Sequence, residues 1–569
     1  MKHSEKTNGI IARILILLTF LFLLVPNVAL SIMGDFSVLA ACANILLPAG
    51  LLLFLLTWRD RPGLNVLLLL PFMVLAAFQI VLLFLYADGS IIGVDMFLNV
   101  ATTNPSEAGE LLNNLGPAIA TVVALYLPVI VLAIVAIVRK VRTSGRSLSR
   151  FRTGAMILSV SGVIVLATCM LEEPYYSVDE DLYPVNVLAN LSTAVNRSYA
   201  GRDYYASSSD ATYHARSTRP DNLREIYVAV VGETSRTDNW QFFGYERYTT
   251  PRLCSLPAGT VTGFGKTLSE SNTTHKAVPL LLSNLTADDF DSKINRSKSV
   301  ITAFKEAGFT TAFISMQCRN HSYIDYFGEE ADTTMFLREP TDGVIVNGLY
   351  DKDMLASLDS VLAGEPTKLL VVLHQYGSHF NYLDRYPREE AYFLPDKTAD
   401  AGAANRGQLV NAYDNSIRHT DNLLYEVIHR LDSINCVGGM IYASDHGEDI
   451  YDDARGRFLH ASPTPTYFQL HVPMLVYLTP CLQHRDPSLL NQARLHQQSN
   501  VSSSQSYTPT LLNMAGIVSP DVDRTKALTS ARYTEPEERL FLSDRNKAYN
   551  LMKAGFKHED YDRLERLNI

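Results

Sequence analysis

The apolar positions of this 569-residue chain fall into two patterns that do not mix. Before residue 172 they form five nearly unbroken runs, at about 10–29, 38–58, 65–86, 116–138 and 154–170. Each is close to the ~20 residues that an α-helix needs to cross a bilayer core. After residue 222 they come instead as short β-branched runs at 226–231, 310–315, 369–373, 440–443 and 474–477, separated by longer amphipathic stretches. Buried strands alternating with helices predict an α/β domain with a mostly parallel sheet. The intervening residues 172–222 are rich in Tyr, Ser, Asp and Arg and hold no long apolar run. The pattern therefore predicts a five-helix transmembrane domain over 1–171, a juxtamembrane bridge over 172–222 and a separate α/β domain over 223–569.

Charge sharpens the division. Residues 1–170 contain 11 Lys+Arg against 7 Asp+Glu, and the remainder 38 against 52. An acidic soluble part has no broad basic field, which argues against nucleic acid as a partner. The apolar runs exclude a simple cytosolic enzyme. Basic residues also set the topology, because cytoplasmic loops retain Lys and Arg. The N-terminus has Lys2, Lys6 and Arg13, Arg59 and Arg61 lie in the second connection, and six more from Arg139 to Arg152 lie in the fourth. The first and third connections have none. Five spans then leave the N-terminus inside and everything after Met170 outside, with the first run an uncleaved signal anchor.

Candidate chemistry sits at the strand ends, where open α/β sheets place their ligands. Glu233 follows the first predicted strand in Gly-Glu-Thr. His374 and His379 follow the third in His-Gln-Tyr-Gly-Ser-His, and Asp445 and His446 follow the fourth in Ser-Asp-His-Gly-Glu. Carboxylate and imidazole ligands together suit a borderline metal such as zinc. Between Ser269 and Leu285 a hydroxyl-rich stretch precedes a helix-like apolar run, which puts Thr273 and Thr274 at a helix N-terminus. Backbone N–H groups and the helix dipole there stabilise negative charge, and a metal-bound threonine oxygen is a competent nucleophile. The same residues also suit a plain helix N-cap, and spacing alone leaves both readings open.

With these motifs, the chain resembles the membrane-bound phosphoethanolamine transferases of the alkaline phosphatase and sulfatase superfamily. The resemblance spans nearly the whole chain and includes Gly244-Tyr245-Glu246-Arg247 before Thr249-Thr250-Pro251-Arg252, and Tyr413-Asp414-Asn415 before Thr420-Asp421. It implies Thr274 as nucleophile, five residues before Pro279. It implies Glu233, Thr274, Asp445 and His446 as holders of one tightly bound zinc ion. His379 and His460, the latter in Phe-Leu-His, would contact the phosphoryl group or a second zinc, while His374 matches the metal pattern less directly. Asn99, Thr103 and Glu107 match polar positions in the family's third connection, and their spacing of four puts them on one helical face. There Glu107 would meet the ammonium of an ethanolamine headgroup, and an ordinary solvated helix face is the alternative.

The resemblance further implies a bacterial inner-membrane enzyme with its catalytic domain in the periplasm. It would move phosphoethanolamine from phosphatidylethanolamine to lipid A, the lipopolysaccharide core or another envelope glycan through a covalent threonine intermediate. A phosphoglycerol transferase of the lipoteichoic-acid-synthase type is the rival. An arylsulfatase is disfavoured, because no Cys or Ser followed by x-Pro-x-Arg is present. One departure stands out. The lipid A-modifying branch carries cysteines flanking the nucleophile, where this chain has Glu270 and Leu280. Only Cys254, Cys318, Cys436 and Cys481 lie in the exported part, enough for one or two disulfides. The six Asn-x-Ser/Thr matches read as chance, since a glycan on Asn272 would block the proposed nucleophile.

Overall fold

The computed structural model describes all residues except Met1, Asp35, 87–89, 103–108, 110, 111, 113, 114, 174, 175, 202, 203, 340–347, 399 and Ile569. The chain divides into two compact units, one of residues 1–97, 112–195 and 451–457, the other of 98–111, 196–450 and 458–569. One boundary, at 195/196, falls inside the segment 172–222 that the sequence marks as a bridge, and the others, at 97/98, 111/112, 450/451 and 457/458, fall outside it.

The first unit is helical. Its apolar helices are α1 (Lys2–Met33), α2 (Val38–Leu56), α3 (Pro62–Leu68), α4 (Leu70–Tyr86), α5 (Gly116–Val138) and α6 (Gly145–Glu172). Four of them are long and apolar enough to cross a membrane, and a fifth span results if the bent pair α3 and α4 counts as one. The sequence pattern treats 65–86 as one run, whereas the backbone turns by 56° between Leu68 and Leu70. Pro71 is the physical reason, since it lacks an N–H and its ring clashes with the carbonyl four residues back. Apolar residues such as Val131, Ile134, Val160 and Ile164 face outward, the inverse of a water-soluble bundle. Helices α2 and α6 approach at Gly162, where a Cβ would lie 2.5 Å from the Leu47 backbone nitrogen. Such small-residue contacts are how helices pack tightly where lipid removes the hydrophobic drive.

The second unit is built on a seven-stranded sheet. In chain order its strands are β1 (Glu225–Gly232), β2 (Val261–Gly263), β3 (Thr310–Ser315), β4 (Thr333–Phe336), β5 (Lys368–His374), β6 (Val437–Ser444) and β7 (Met474–Leu478). Their spatial order is β2-β7-β6-β1-β5-β3-β4. The pairs among β6, β1, β5, β3 and β4 are parallel, and β7 runs antiparallel to β6 and β2. All eight residues of β1 are buried, as befits the centre of a sheet covered on both faces. Helix α8 (Arg406–Ile434) and a helix at Ser503–Met514 pack against β6. Helix α7 (Thr274–Leu281) packs on the Ser503–Met514 helix. The five strands read from the sequence all form. The edge strands β2 and β4, three and four residues long, carry no pattern to announce them.

Candidate active site

Register brings the chemistry together. Val231 in β1 pairs with His374 in β5, and Gly232 pairs with Ser444 in β6. The residues that follow, Glu233 and Asp445-His446, are thus delivered to one edge by adjacent strands. The turn after β1 is tight. Thr234 has φ +58°, a left-handed conformation costly for a β-branched residue. It is held by its N–H donating to Asp445 Oδ1 at 3.1 Å and its hydroxyl donating to Glu233 Oε1 at 2.6 Å. The β5 loop packs directly over this turn, and at Gly377 a Cβ would lie 2.4 Å from the Glu233 carbonyl oxygen. Asp351 clamps that loop by accepting from the Tyr376 and Gly377 N–H groups, each at 2.8 Å.

Thr274 is the first residue of α7, and Thr273 before it makes no side-chain cap bond. The Thr274 hydroxyl is spent elsewhere. It lies 3.3 Å from Glu233 Oε1 and 3.1 Å from His446 Nε2. His446 Nε2 is in turn 3.6 Å from Glu233 Oε1 and 3.3 Å from Asp445 Oδ2. These four separations match the edges of a tetrahedron, which for zinc bonds of ~2.0–2.1 Å are about 3.3 Å long. Glu233, Asp445 and His446 form a buried group able to hold a metal ion, with ligand atoms all within 4.8 Å of one another. Asp445 Oδ2 is buried without a hydrogen-bond partner, an expensive condition for a carboxylate unless a cation supplies its partner. His446 Nδ1–H donates to the Gly447 carbonyl at 2.9 Å, which leaves the Nε2 lone pair for coordination.

Burial, then the neighbouring Asp445 carboxyl, push Glu233 up to about 8. Burial raises Asp445 to about 7 and lowers His446 to about 4. Two carboxyls that resist ionisation beside an imidazole that resists protonation mark a place poor in positive charge.

His460 lies close, its ring 4.2 Å from that of His446, and its Nδ1 is 3.0 Å from Glu448 Oε2. Glu448 also accepts from the Tyr382 hydroxyl. His379 is next in line, its ring 6.1 Å from that of His460, with Nδ1–H donating to the Phe380 carbonyl at 2.6 Å. Burial lowers His460 to about 4 and, helped by Arg385 and His460, lowers His379 well below the ordinary histidine range. Neither histidine belongs to the metal-capable group found among the described residues. His374 stays inside the sheet, its Nδ1 3.1 Å from Ser315 Oγ. Of the polar face in the third connection, Asn99 falls in the helix Val94–Thr102, whereas Thr103 and Glu107 lie outside the described residues.

Two neighbours were not singled out from sequence. Gln317 donates Nε2 to Glu233 Oε2 at 3.2 Å and to the Gln375 carbonyl at 3.0 Å. It lies two residues past β3, so the strand-end logic that found Glu233 reaches it too. Glu448 stands within the Asp-His-Gly-Glu motif, but its pairing with His460 is a tertiary contact that spacing does not reveal.

A family model described as Sulfatase matches residues 225–517, the span from the first strand of the sheet to just beyond the Ser503–Met514 helix. The chain belongs to the sulfatase family. Within that setting it is 27% identical over 320 residues to the Kdo(2)-lipid A phosphoethanolamine 7''-transferase of Escherichia coli K12, an alignment covering 54% of each chain. The chain thus spans about half the length of that relative. Its fold is similar to the integral membrane lipooligosaccharide phosphoethanolamine transferase A of Neisseria meningitidis, with a TM-score of 0.68 and 21% identity over 90% of this chain and 97% of that one. It is also similar to the C-terminal periplasmic domain of EptC from Escherichia coli in complex with Zn. There the TM-score is 0.54 and the identity 21%, over 61% of this chain and 98% of that one. Cys254, Cys436 and Cys481 are free thiols, so the disulfides that the sequence allows do not form from them.

Proposed function

We propose that the protein is a zinc-dependent phosphoethanolamine transferase of the bacterial inner membrane, acting in the periplasm on an envelope glycolipid of the lipid A or lipopolysaccharide-core class. The observation that carries this reading is the Thr274 hydroxyl held against His446 Nε2 and Glu233 Oε1 at 3.1 and 3.3 Å, where a serving side chain would otherwise be a mere helix cap. The relatives' names support the group transferred and the acceptor class.

Glu233, Thr274, Asp445 and His446 would hold the metal. Bound there, zinc supplies Lewis-acid charge that favours the deprotonated threonine oxygen and offsets charge on the phosphoryl group. The chain's own residues do the rest. Thr274 Oγ1 attacks the phosphorus of phosphatidylethanolamine, the bond to the diacylglycerol oxygen breaks, and a phosphoethanolamine–threonine ester forms. His460 keeps its Nδ1–H on Glu448, so Nε2 is the atom that gives and takes protons, as in other carboxylate–histidine pairs. It takes the Thr274 hydroxyl proton and passes it to the departing diacylglycerol oxygen, then takes the proton of the attacking acceptor and returns it to Thr274 Oγ1 as the P–Oγ1 bond breaks. Gly377 and the clamp at Asp351 bring the β5 loop, and with it His379, over the Glu233 turn and exclude water. The donor's chains stay in the bilayer throughout, since exposing them would cost about 0.8 kcal/mol per CH₂. Asn99, Thr103 and Glu107 are assigned to the ammonium end of that headgroup.

Incubating the full-length protein in detergent with phosphatidylethanolamine tests this. Diacylglycerol release and peptide mass spectrometry placing phosphoethanolamine on Thr274 are expected. A label on another residue, or full activity in Thr274→Ala, overturns it. Glu107→Gln should slow transfer from phosphatidylethanolamine and spare hydrolysis of a small soluble phosphodiester.

A further inference from the structure

A cavity of about 700 Å³ lies in the catalytic unit, and its wall includes His275 and Lys276, the two residues that follow Thr274. That volume is typical of small-molecule sites. The wall combines three kinds of group. Phe290, Tyr323 and Tyr326 give aromatic surface, and Asn295, Asn320 and Ser322 give hydrogen-bonding side chains. Among the described residues of the wall, Arg197 and Lys276 give two formal positive charges against the one carboxylate of Asp291. Asp291 is already engaged, accepting from Asn546 Nδ2 at 2.8 Å.

The cations are seated by carbonyls. Lys276, only 1% exposed, donates Nζ to the Ser543 carbonyl at 2.7 Å. Arg197 donates Nη1 to the Asp544 carbonyl at 2.9 Å. Among the described residues no carboxylate pairs with Arg197, so its charge is positioned and not cancelled. A guanidinium of this kind is suited to a phosphate or carboxylate. Aromatic faces beside amides and hydroxyls suit the apolar faces and hydroxyl edges of a sugar ring.

We propose that this cavity is the acceptor subsite, receiving a phosphorylated or carboxylated sugar of the acceptor glycolipid. The assignment rests on the transferase reading above, and it adds a location and a chemistry for the second substrate. The donor phosphorus must lie at Thr274 Oγ1. His275 and Lys276 follow Thr274 in α7, so a sugar seated against them lies within one helical turn of the threonine that carries the ester. In the second step its oxygen makes the new P–O bond, the P–Oγ1 bond breaks, and the proton lost by the acceptor returns to Thr274.

The test uses full-length Thr274→Ala protein in detergent micelles, with lipid A and the same glycolipid stripped of its phosphates as probes. Removing the phosphates should weaken binding at least 10-fold, the scale of a lost charged hydrogen bond. Adding Arg197→Gln should weaken binding of the phosphorylated form by a similar factor and erase the difference between the two probes. Arg197→Lys, which keeps the charge, should restore most of the affinity, and it guards against a folding artefact. Equal affinity for both probes, fully additive effects, or a Lys variant as weak as the Gln variant overturns the proposal. Inorganic phosphate competing as well as lipid A would reduce the site to an anion pocket and refute its sugar part. Absence of diacylglycerol release by the unmutated protein would refute the transferase reading instead, whatever the binding result.

Discussion

Glu233 and Glu270 are both buried carboxyls of the catalytic unit, both close in the chain or in space to the loop that leads into Thr274, and they differ in what surrounds them. Glu270 is satisfied. Its Oε1 accepts from Gln505 Nε2 at 2.6 Å and Ser502 Oγ at 3.1 Å, and its Oε2 accepts from the Ala287 N–H at 3.1 Å. Glu233 shares its surroundings with a second carboxyl, Asp445, one of whose oxygens has no partner, and it faces a hydroxyl and an imidazole that point at the same spot. Burial raises both, Glu233 to about 8 and Glu270 to about 7. Titration alone therefore does not tell site from scaffold. Donors on the glutamates do not separate them either, since Glu233 accepts from Thr234, Thr274 and Gln317; what separates them is the neighbour, because Asp445 Oδ2 beside Glu233 is buried with no donor, and such an open shell marks where an external ligand belongs.

The sharpest way to break this comparison is at Thr274. Thr274→Ala should abolish transfer, a loss of at least about 10³-fold for a covalent nucleophile, with a melting midpoint no lower than that of the unmutated protein stripped of metal. Asp445→Asn comes next. Removing a ligand should lower metal affinity by more than the 10–100-fold that outer-shell partners are worth, measured as zinc per chain after dialysis against a weak chelator. Chelation of the unmutated protein should remove activity and also lower its melting midpoint, since an ion that binds only the folded state stabilises it by mass action. Retained stoichiometric zinc in Asp445→Asn would show that the open oxygen is not a ligand.

A smaller effect is expected one contact outward. Glu448→Gln keeps the shape beside His460 Nδ1 but removes the charge that favours an imidazolium. Transfer should fall roughly 10–100-fold with zinc content unchanged. The acidic limb of the pH–rate profile should shift as the histidine loses its anionic partner. A fall in rate that tracks a fall in zinc content would make Glu448 a metal-site brace and not the partner of a proton carrier.

These expectations trace back unevenly to the sequence. Glu233, Asp445 and His446 were legible because each follows a β-branched run, and parallel strands must deliver their following residues to one edge. Thr274 was legible only as one of two options, a nucleophile or a cap. The choice depends on where the hydroxyl points, which is decided by β1 and β6 and not by the helix that carries it. The bend between α3 and α4 escaped because hydropathy averages over a window, while Pro71 acts on one hydrogen bond. The His460–Glu448 pair joins residues 12 apart across a turn, and the cavity at Arg197 and Lys276 joins segments tens to hundreds of residues apart, and no periodicity encodes such meetings.

The role of Glu270 was illegible for the same reason, since its partners Ser502 and Gln505 lie more than 230 residues away. At the position where related enzymes are expected to carry a cysteine, this chain closes the loop with hydrogen bonds. The last prediction follows from that substitution. Burial raises Glu270 above its unfolded value, against the pull of its three donors, so the folded state holds a proton that the unfolded state has released between about pH 4.5 and pH 7. Stability from this group must then fall as pH rises through that window and level off above it, by at most about 3 kcal/mol. Glu270→Gln has no proton to lose. Its carbonyl oxygen can accept from Ala287 while its amide donates to a turned Gln505 side chain, so the brace survives. The difference in melting midpoint, variant minus unmutated protein, should therefore climb by a few degrees between pH 5 and pH 8, with transfer activity and zinc content unaltered at either end. A flat difference would mean that Glu270 is ionised throughout and its three donors outweigh burial. A loss of zinc would mean that the loop it braces is part of the site after all, and the distinction between closed and open shells would fail at the place where it is drawn most finely.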